Sequence, residues 1–369
     1  MYFCRRDFED LALRMKKLYN TVDRRVLKEQ FRKSDEQRTT VSFYKYHPIR
    51  NPEFFRDYLF LHWIDLGVLG RTYVSSEGIN AQISIPVLAK ESFIQDLYAI
   101  TFLDGVRLNF AVEPEEKSFY QLKIKLRKKI VADGIDDPSF NPSDTGVHLD
   151  AQSFNQLTSR PDTILIDMRN HYESEVGHFK GAILPDADTF REEISMVEDM
   201  LKGKEESNIV MYCTGGIRCE KASAYLKHKG FPNVHQLEGG IIKYARDVKE
   251  QGLENRFVGV NFVFDERLAE RISEDVIAKC HQCGTPFDHH TNCANEACHI
   301  LFIQCDNCKS KFENCCSSEC QEIIHLPAEV QRELRKGKIA DRNIFKKGRS
   351  EKLVFKTNRV KNDSGEPAM

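Results

Sequence analysis

The sequence predicts a multidomain α/β chain, and three observations carry that prediction. Between Arg38 and Val131 the pattern runs strand, helix, strand, strand, helix, strand. From Leu149 to Gly252 strand and helix take turns around a thiol-bearing loop, Cys213-Thr-Gly-Gly-Ile-Arg218. Nine of the twelve cysteines then crowd between Cys280 and Cys320, leaving only Cys4, Cys213 and Cys219 before them. In an intracellular chain that density indicates metal or redox chemistry rather than a disulfide framework. At 369 residues two or three domains are expected, and an apolar share of 41% is ample for their cores. No stretch approaches about 18 uninterrupted apolar residues, so none is expected to span a membrane. The N-terminus lacks the apolar centre of a signal peptide, which makes cytoplasm the expected compartment.

Residues 1–37 are expected to form a helical extension. Thr40 to Tyr46 then reads as a strand, and Pro52 to Leu69 as a helix with Phe55, Leu59, Trp63 and Leu66 on one face. Arg71 to Val74 is a second strand, and Ser76-Glu77-Gly78 turns into a third. There Ile79, Ala81, Ile83 and Ile85 alternate with Asn80, Gln82 and Ser84. Pro86 opens a helix through Ile100, with Val87, Phe93, Ile94, Leu97 and Tyr98 inward, and Leu108, Phe110 and Val112 mark a fourth strand. This order over 38–131 predicts a ferredoxin-like (acylphosphatase-like) α+β sandwich. A further strand, Gln121 to Lys128, sets Leu122, Ile124 and Leu126 against Lys123, Lys125 and Arg127, with Lys117, Lys128 and Lys129 nearby. Such a ribbon either guards a sheet edge or meets phosphate.

Residues 132–148 hold Gly134, Asp136-Asp137-Pro138, Asn141-Pro142 and Gly146, the composition of a linker. Further on, Asn208 to Tyr212 reads as a buried strand, and Cys219 to Lys229 as a helix with Ala222, Ala224, Tyr225 and Leu226 on one side. Cys213 therefore sits in a strand-to-helix turn. Thr214, Gly215, Gly216 and Ile217 make an anion-cradling loop whose N–H groups turn inward, and Arg218 closes it. Such surroundings lower a thiol from ~8.5 to about 3.5–7.5, which makes Cys213 a nucleophile rather than an inert core cysteine. The six-residue ring from Cys213 to Arg218 suits a persulfide or a similarly small anion better than a phosphate. The pairs Glu192-Glu193, Glu198-Asp199 and Glu205-Glu206 are expected on solvated faces.

This loop, with Asp167-Met168-Arg169 and Glu173 to Ala182 upstream and Glu238-Gly239-Gly240-Ile241 downstream, resembles a rhodanese domain, here spanning 149–252. The resemblance implies that Cys213 carries a persulfide and that Asp167 and Arg169, after the run Thr163 to Ile166, brace the active site. A surface ion pair is the alternative for those two. Arg38 to Tyr46, Ser76 to Ser84, Ile130 to Pro138 and the cysteine-rich tail further resemble the bacterial tRNA uridine hydroxylases. These are rhodanese-containing enzymes that convert the wobble uridine to 5-hydroxyuridine using oxygen. That resemblance runs from about Arg38 to Leu326. The first twenty residues fall outside it, as an extension or as the product of a start upstream of Met15. It implies Cys213, Arg218 and Asp167 as catalytic residues, molecular oxygen as co-substrate, and the tRNA anticodon region as partner. Beside it, Lys123, Lys125, Arg127, Lys128 and Lys129 read as RNA-binding. Cys219 either resolves an oxidised or persulfidated Cys213 or simply packs into the first helical turn. The alternative activity is sulfur transfer through Cys213 from thiosulfate or a protein persulfide; a non-catalytic zinc-and-RNA-binding module is the outsider.

The region 253–327 contains Cys280-His-Gln-Cys283, Cys293, Cys298, Cys305-Asp-Asn-Cys308, Cys315-Cys316 and Cys320. Paired C-x-x-C knuckles followed by more cysteines match structural zinc, one ion or two. Ile277 to Gln321 has too few apolar residues for a core of its own, so a metal would have to staple it. One partition joins Cys280 and Cys283 with Cys305 and Cys308. A second draws on Cys293, Cys298, Cys315, Cys316 and Cys320, with His289, His290 or His299 in reserve. An iron–sulfur cluster and reactive or disulfide-forming thiols are the alternatives. The tail 328–369 is rich in Lys and Arg, whereas the whole chain carries a net charge of −2. It is expected to be partly disordered, serving as an RNA footprint or as a solubilising tail.

Overall fold

Period-two alternation builds the central strand of the first sheet: Ile79, Ala81, Ile83 and Ile85 are all buried along Gly78–Pro86. The computed structural model describes residues 22–112, 118–336 and 347–355. The chain divides into two units, the first ending at Val131 and including Asp265–Arg267, the second beginning at Ala132. The first unit runs α1 (Arg24–Lys33), β1 (Arg38–Tyr46), α2 (Pro52–Asp65), β2 (Leu69–Ser75), β3 (Gly78–Pro86), α3 (Lys90–Tyr98), β4 (Asn109–Phe110) and β5 (Leu122–Leu126). Its sheet order is β4-β1-β3-β2-β5, with β5 joining β2 in parallel and the other pairs antiparallel. Leu59, Phe60 and Trp63 of α2 and Phe93 and Leu97 of α3 share one core with β1 and β3, which is the expected ferredoxin-like sandwich.

Two expectations here need correcting. Helix α2 stops at Asp65 rather than Leu69, because the chain turns at Gly67 and Leu69 already belongs to β2. Pro86 opens only a 3₁₀ turn, Val87–Ala89, ahead of α3, so Val87 faces solvent instead of the core.

The second unit begins with β6 (Val147–Leu149), α4 (Ala151–Thr158), β7 (Thr163–Asp167), α5 (His171–Ser174), β8 (Gly177–Phe179), α6 (Phe190–Met200) and β9 (Asn208–Tyr212). It continues through α7 (Ile217–His228), β10 (Val234–Leu237), α8 (Gly240–Gln251), β11 (Phe257–Phe262) and β12 (Ala269–Arg271). The sheet β6-β10-β9-β7 is parallel throughout. A parallel sheet is covered on both faces, which explains the unbroken apolar run of β9. Phe154, Phe179, Tyr212, Tyr244 and Phe257 fill the core beside it. The cysteine module adds the hairpin β13 (His290–Asn292) and β14 (Leu301–Ile303), then α9 (Asp306–Phe312), α10 (Ser318–Ile324) and α11 (Ala328–Arg335). Among the described residues no helix is long and apolar enough to cross a membrane.

Residues 132–148, expected as a linker, make contacts within the second unit. Asp133 forms a buried ion pair with Lys221, His228 bonds Asp137 at 2.9 Å, and Phe140 packs edge-on to Tyr225, so the stretch lies against α7. Within the tail, Ser350 and Leu353 are buried. Residues 1–21, Lys117 and the tail positions 337–346 and 356–369 lie outside the described residues.

Candidate active site

The end of β9 delivers Cys213 to the start of α7, and Gly216 makes the turn by adopting φ 100°, a conformation that a side chain would strain. Gly240 approaches from behind. A Cβ there would sit 2.5 Å from the Cys213 carbonyl oxygen, so only glycine lets α8 abut the loop. Ile241 and Ile242 then donate their N–H groups to the carbonyls of Cys213 and Thr214 at 3.0 and 3.2 Å. With its carbonyls turned back onto α8, the loop can aim amides at the sulfur.

The Gly216 N–H donates to the Cys213 sulfur at 3.1 Å. Burial opposes ionisation of this fully buried thiol. The Cys219 thiol, the Arg218 charge and the amides of 218 and 219 outweigh it and hold its pKa at about 6. Cys219 moves the other way: burial, together with the hydrogen bond to Cys213, pushes its pKa well up. The pair is therefore one thiolate and one thiol donating to it.

Arg218 does not stand open as an anion clamp. Its guanidinium bonds both oxygens of Glu173 at 2.7 and 2.8 Å, and its Nη2 also reaches the Thr214 hydroxyl at 3.3 Å. Glu173, on α5, is fully buried; burial would raise its pKa, but Arg218 wins and holds it below the usual carboxylate value. Asp167 and Arg169 are both sealed from solvent rather than paired at the surface. Arg169 meets the carboxylate at 2.8 and 2.6 Å and donates to the Gly177 carbonyl at 2.6 Å. The Asp167 carboxylate thus braces the end of β7 through Arg169.

Glu193 overturns an expectation. It belongs to no solvated face: it is fully buried on α6, and neither carboxyl oxygen has a hydrogen-bond partner among the described residues. Burial raises its pKa well above the ordinary value, with nearby negative charge on Asp167, Glu173 and Cys213 pushing the same way. The sequence does hold the signal for this. Phe190, Glu193, Ile194 and Val197 follow the helical period, so residue 193 shares the apolar stripe. Glu173 was visible only as one letter of a motif, although Asn170 and Glu173 form a capping box that pins the side chain at the start of α5.

The cysteine module resolves into two groups of four: Cys280, Cys283, Cys305 and Cys308; and Cys293, Cys298, Cys316 and Cys320. Sulfur separations of 3.6 Å (Cys283–Cys305), 3.6 Å (Cys298–Cys316) and 3.7 Å (Cys316–Cys320) are far beyond a disulfide bond. They match the ~3.8 Å edge of a thiolate tetrahedron drawn around an ion at about 2.3 Å. Both groups can hold a metal. Cys315 is not a member; its side chain is buried in the apolar cluster with Ile300 and Phe302. His289, His290 and His299 stay outside both groups as well. His281, inside the first knuckle, bonds Glu175 at 2.9 Å and ties the module to the segment that carries Glu173.

Lys123 and Lys125 project from β5 at the edge of the first sheet while Leu122 and Ile124 turn inward. Arg127, over the Tyr73 ring, and Lys128 are exposed beside them, with Lys129 half-buried. The structure thus gathers these five side chains along one edge.

Three family models match the chain: the UPF0176 acylphosphatase-like domain over 38–130, the rhodanese-like domain over 150–247, and the rhodanese C-terminal region over 258–321. A protein of Photorhabdus laumondii is 55% identical over 90% of this chain and 95% of its own length. One of Yersinia enterocolitica is 57% identical over the same shares. Both carry the name tRNA uridine(34) hydroxylase. Among solved structures, a rhodanese-like domain from Anabaena is 22% identical, with a TM-score of 0.25, covering 30% of this chain and 78% of that one.

Proposed function

This chain belongs to the tRNA uridine(34) hydroxylase family, and on that premise we propose that Cys213 is the nucleophile through which it acts. It is a tRNA-modifying enzyme of oxidoreductase type that hydroxylates uridine 34, the wobble position. The observation that carries the proposal is the setting of the sulfur: buried between β9 and α7, it accepts the Gly216 N–H at 3.1 Å, and against that burial the Cys219 thiol and the Arg218 charge lower its pKa to about 6. As the thiolate adds to C6 of the uracil, the sulfur–carbon bond forms and the C5–C6 π pair shifts onto C5 and O4. C5 is then nucleophilic toward an electrophilic oxygen. With dioxygen as co-substrate, one oxygen atom goes to C5 and the other leaves as water, drawing two electrons and two protons from a donor molecule. Loss of the C5 proton and departure of the sulfur restore the ring and the thiolate.

Arg218 and the loop amides supply the standing positive potential that keeps the sulfur anionic between turnovers. The two four-cysteine groups would hold zinc, which as a closed tetrahedral thiolate site supplies folding energy rather than catalysis. The basic edge Lys123, Lys125, Arg127, Lys128 and Lys129 would meet the phosphates of the anticodon stem-loop. Cytoplasm, where tRNA is found, is the compartment this reading implies.

In a strain lacking the gene, wild-type protein restores 5-hydroxyuridine in tRNA nucleosides and Cys213→Ser does not. Modification persisting with the serine variant overturns the assignment. Robust thiosulfate:cyanide transfer with unchanged tRNA nucleosides in the deletion strain would mark a sulfurtransferase instead.

A further inference from the structure

Arg218 looks from the sequence like the group that receives an anion, yet its two terminal nitrogens are committed to Glu173. A second cation lies beside this pair, and it comes from a remote part of the chain. Lys347 places its ammonium 3.4 Å from the centre of the Tyr172 ring, the residue immediately before Glu173. Its charge acts on Glu173, Arg218 and Asp188, but among the described residues it closes no ion pair. Tyr172 is buried beneath it, and burial lowers the pKa of the amine to about 8.

The segment that delivers Lys347 is fastened on two sides. Arg349 pairs with Asp186 and, at 3.0 Å, with Asp188, both in the stretch leading into α6. On the other side, the Gly348 N–H donates to the Leu301 carbonyl at 2.7 Å and the Phe355 N–H to the His281 carbonyl at 2.9 Å. Leu353 is buried among Ile300, Phe302 and the second cysteine group. An ammonium held by that many contacts, near Glu173 and Asp188 but closing no ion pair among the described residues, can still take an anionic partner beside an arginine already committed to Glu173.

We propose that Lys347 is a further substrate-contacting residue of this active site, its ammonium meeting a negatively charged or charge-gathering oxygen of the nucleotide that Cys213 attacks. The inference rests on the reading of Cys213 as the reacting sulfur. Two oxygens have the required chemistry: a phosphate oxygen flanking nucleotide 34, and O4 of the uracil, which gathers charge as sulfur adds to C6.

The test uses the full-length metal-loaded protein. Iodoacetate and iodoacetamide differ in charge but share one route to Cys213, so the ratio of their alkylation rates cancels any barrier to entry. Lys347→Gln should lower that ratio by about fivefold, as loss of one partly screened charge requires. Lys347→Arg should retain it, and exposed Lys336→Gln should leave it unchanged. Lys347→Gln should also weaken binding of an anticodon stem-loop, and a loop with methylphosphonates both 5′ and 3′ to nucleotide 34 identifies the oxygen. If the Gln penalty vanishes there, the partner is the phosphate; if it persists, the partner is the ring oxygen. An unchanged reagent ratio together with unchanged stem-loop affinity overturns the proposal. Should Cys213→Ser still hydroxylate uridine, the underlying reading fails, and that result is separate from any obtained with Lys347.

Discussion

Replacing Glu193 with glutamine asks whether the buried acid near the loop keeps its proton at neutral pH. Its two oxygens are sealed and, among the described residues, unpartnered, and burial drives its pKa well up, so a neutral carboxylic acid is the form to test for. Glutamine copies that shape and that charge. The Cys213 midpoint of about 6 should therefore stay in place. Were Glu193 ionised, its charge would act on the nearby thiolate, and a unit charge a few ångströms away at an effective dielectric of about 20 contributes on the order of 1–4 kcal/mol, or about one pKa unit or more. Its removal would then drop the midpoint by that amount. The assay is the rate of carbamidomethylation at the Cys213 peptide, followed by mass spectrometry from acidic to alkaline pH. A fall of about one unit or more in Glu193→Gln refutes the neutral acid. Stability supplies an independent check with a fixed sign. The raised folded pKa means that the native state keeps a proton the unfolded chain releases above about 4.3. Wild-type stability thus falls with rising pH, by about 1.4 kcal/mol per unit, until the folded value is reached, and Glu193→Gln lacks that slope.

Four other experiments test neighbouring parts of the structure. Cys219→Ala removes a donor to the thiolate, and a lost charge-assisted hydrogen bond of about 1.5–3 kcal/mol should raise the Cys213 midpoint by about one to two units in the same alkylation profile. Glu173→Gln strands the Arg218 guanidinium in a buried site and should cost about 3–5 kcal/mol in denaturant titration, with bound metal unchanged. Cys298→Ser and Cys320→Ser should each lose metal from one group by elemental analysis, whereas Cys315→Ser should keep the full complement. Removing the charges of Lys123, Lys125 and Arg127 together should flatten the salt dependence of tRNA binding by about 2–3 in the log–log slope, with uridine 34 chemistry intact once tRNA is saturating.

What could be read from the sequence was whatever a short stretch decides by itself. The alternation in β3 and β5 fixes which side chains turn inward, because a one-residue slip would send every apolar residue to water. The Cys213 loop is equally local: its glycines, its amides and Cys219 lie within one turn of the chain. The first cysteine group follows from two C-x-x-C knuckles. The second group was ambiguous because Cys315 and Cys316 are adjacent and both are buried in the same cluster, and only the fold decides that the sulfur of Cys316 comes within reach of all three other members. The charge balance of the site was out of reach for a different reason. Arg218 is neutralised from α5, Glu193 arrives on α6, and Lys347 comes from beyond the cysteine module. Each changes what the arginine or the thiolate can do, and none lies near them in sequence. A local motif therefore specifies the nucleophile, whereas its electrostatic partners depend on tertiary packing. The Lys347 segment is held through His281 and Leu301 of the cysteine module. Metal loss that loosens those two backbones should free Lys347 from the Tyr172 ring while leaving the Cys213 loop, anchored on α8, in place.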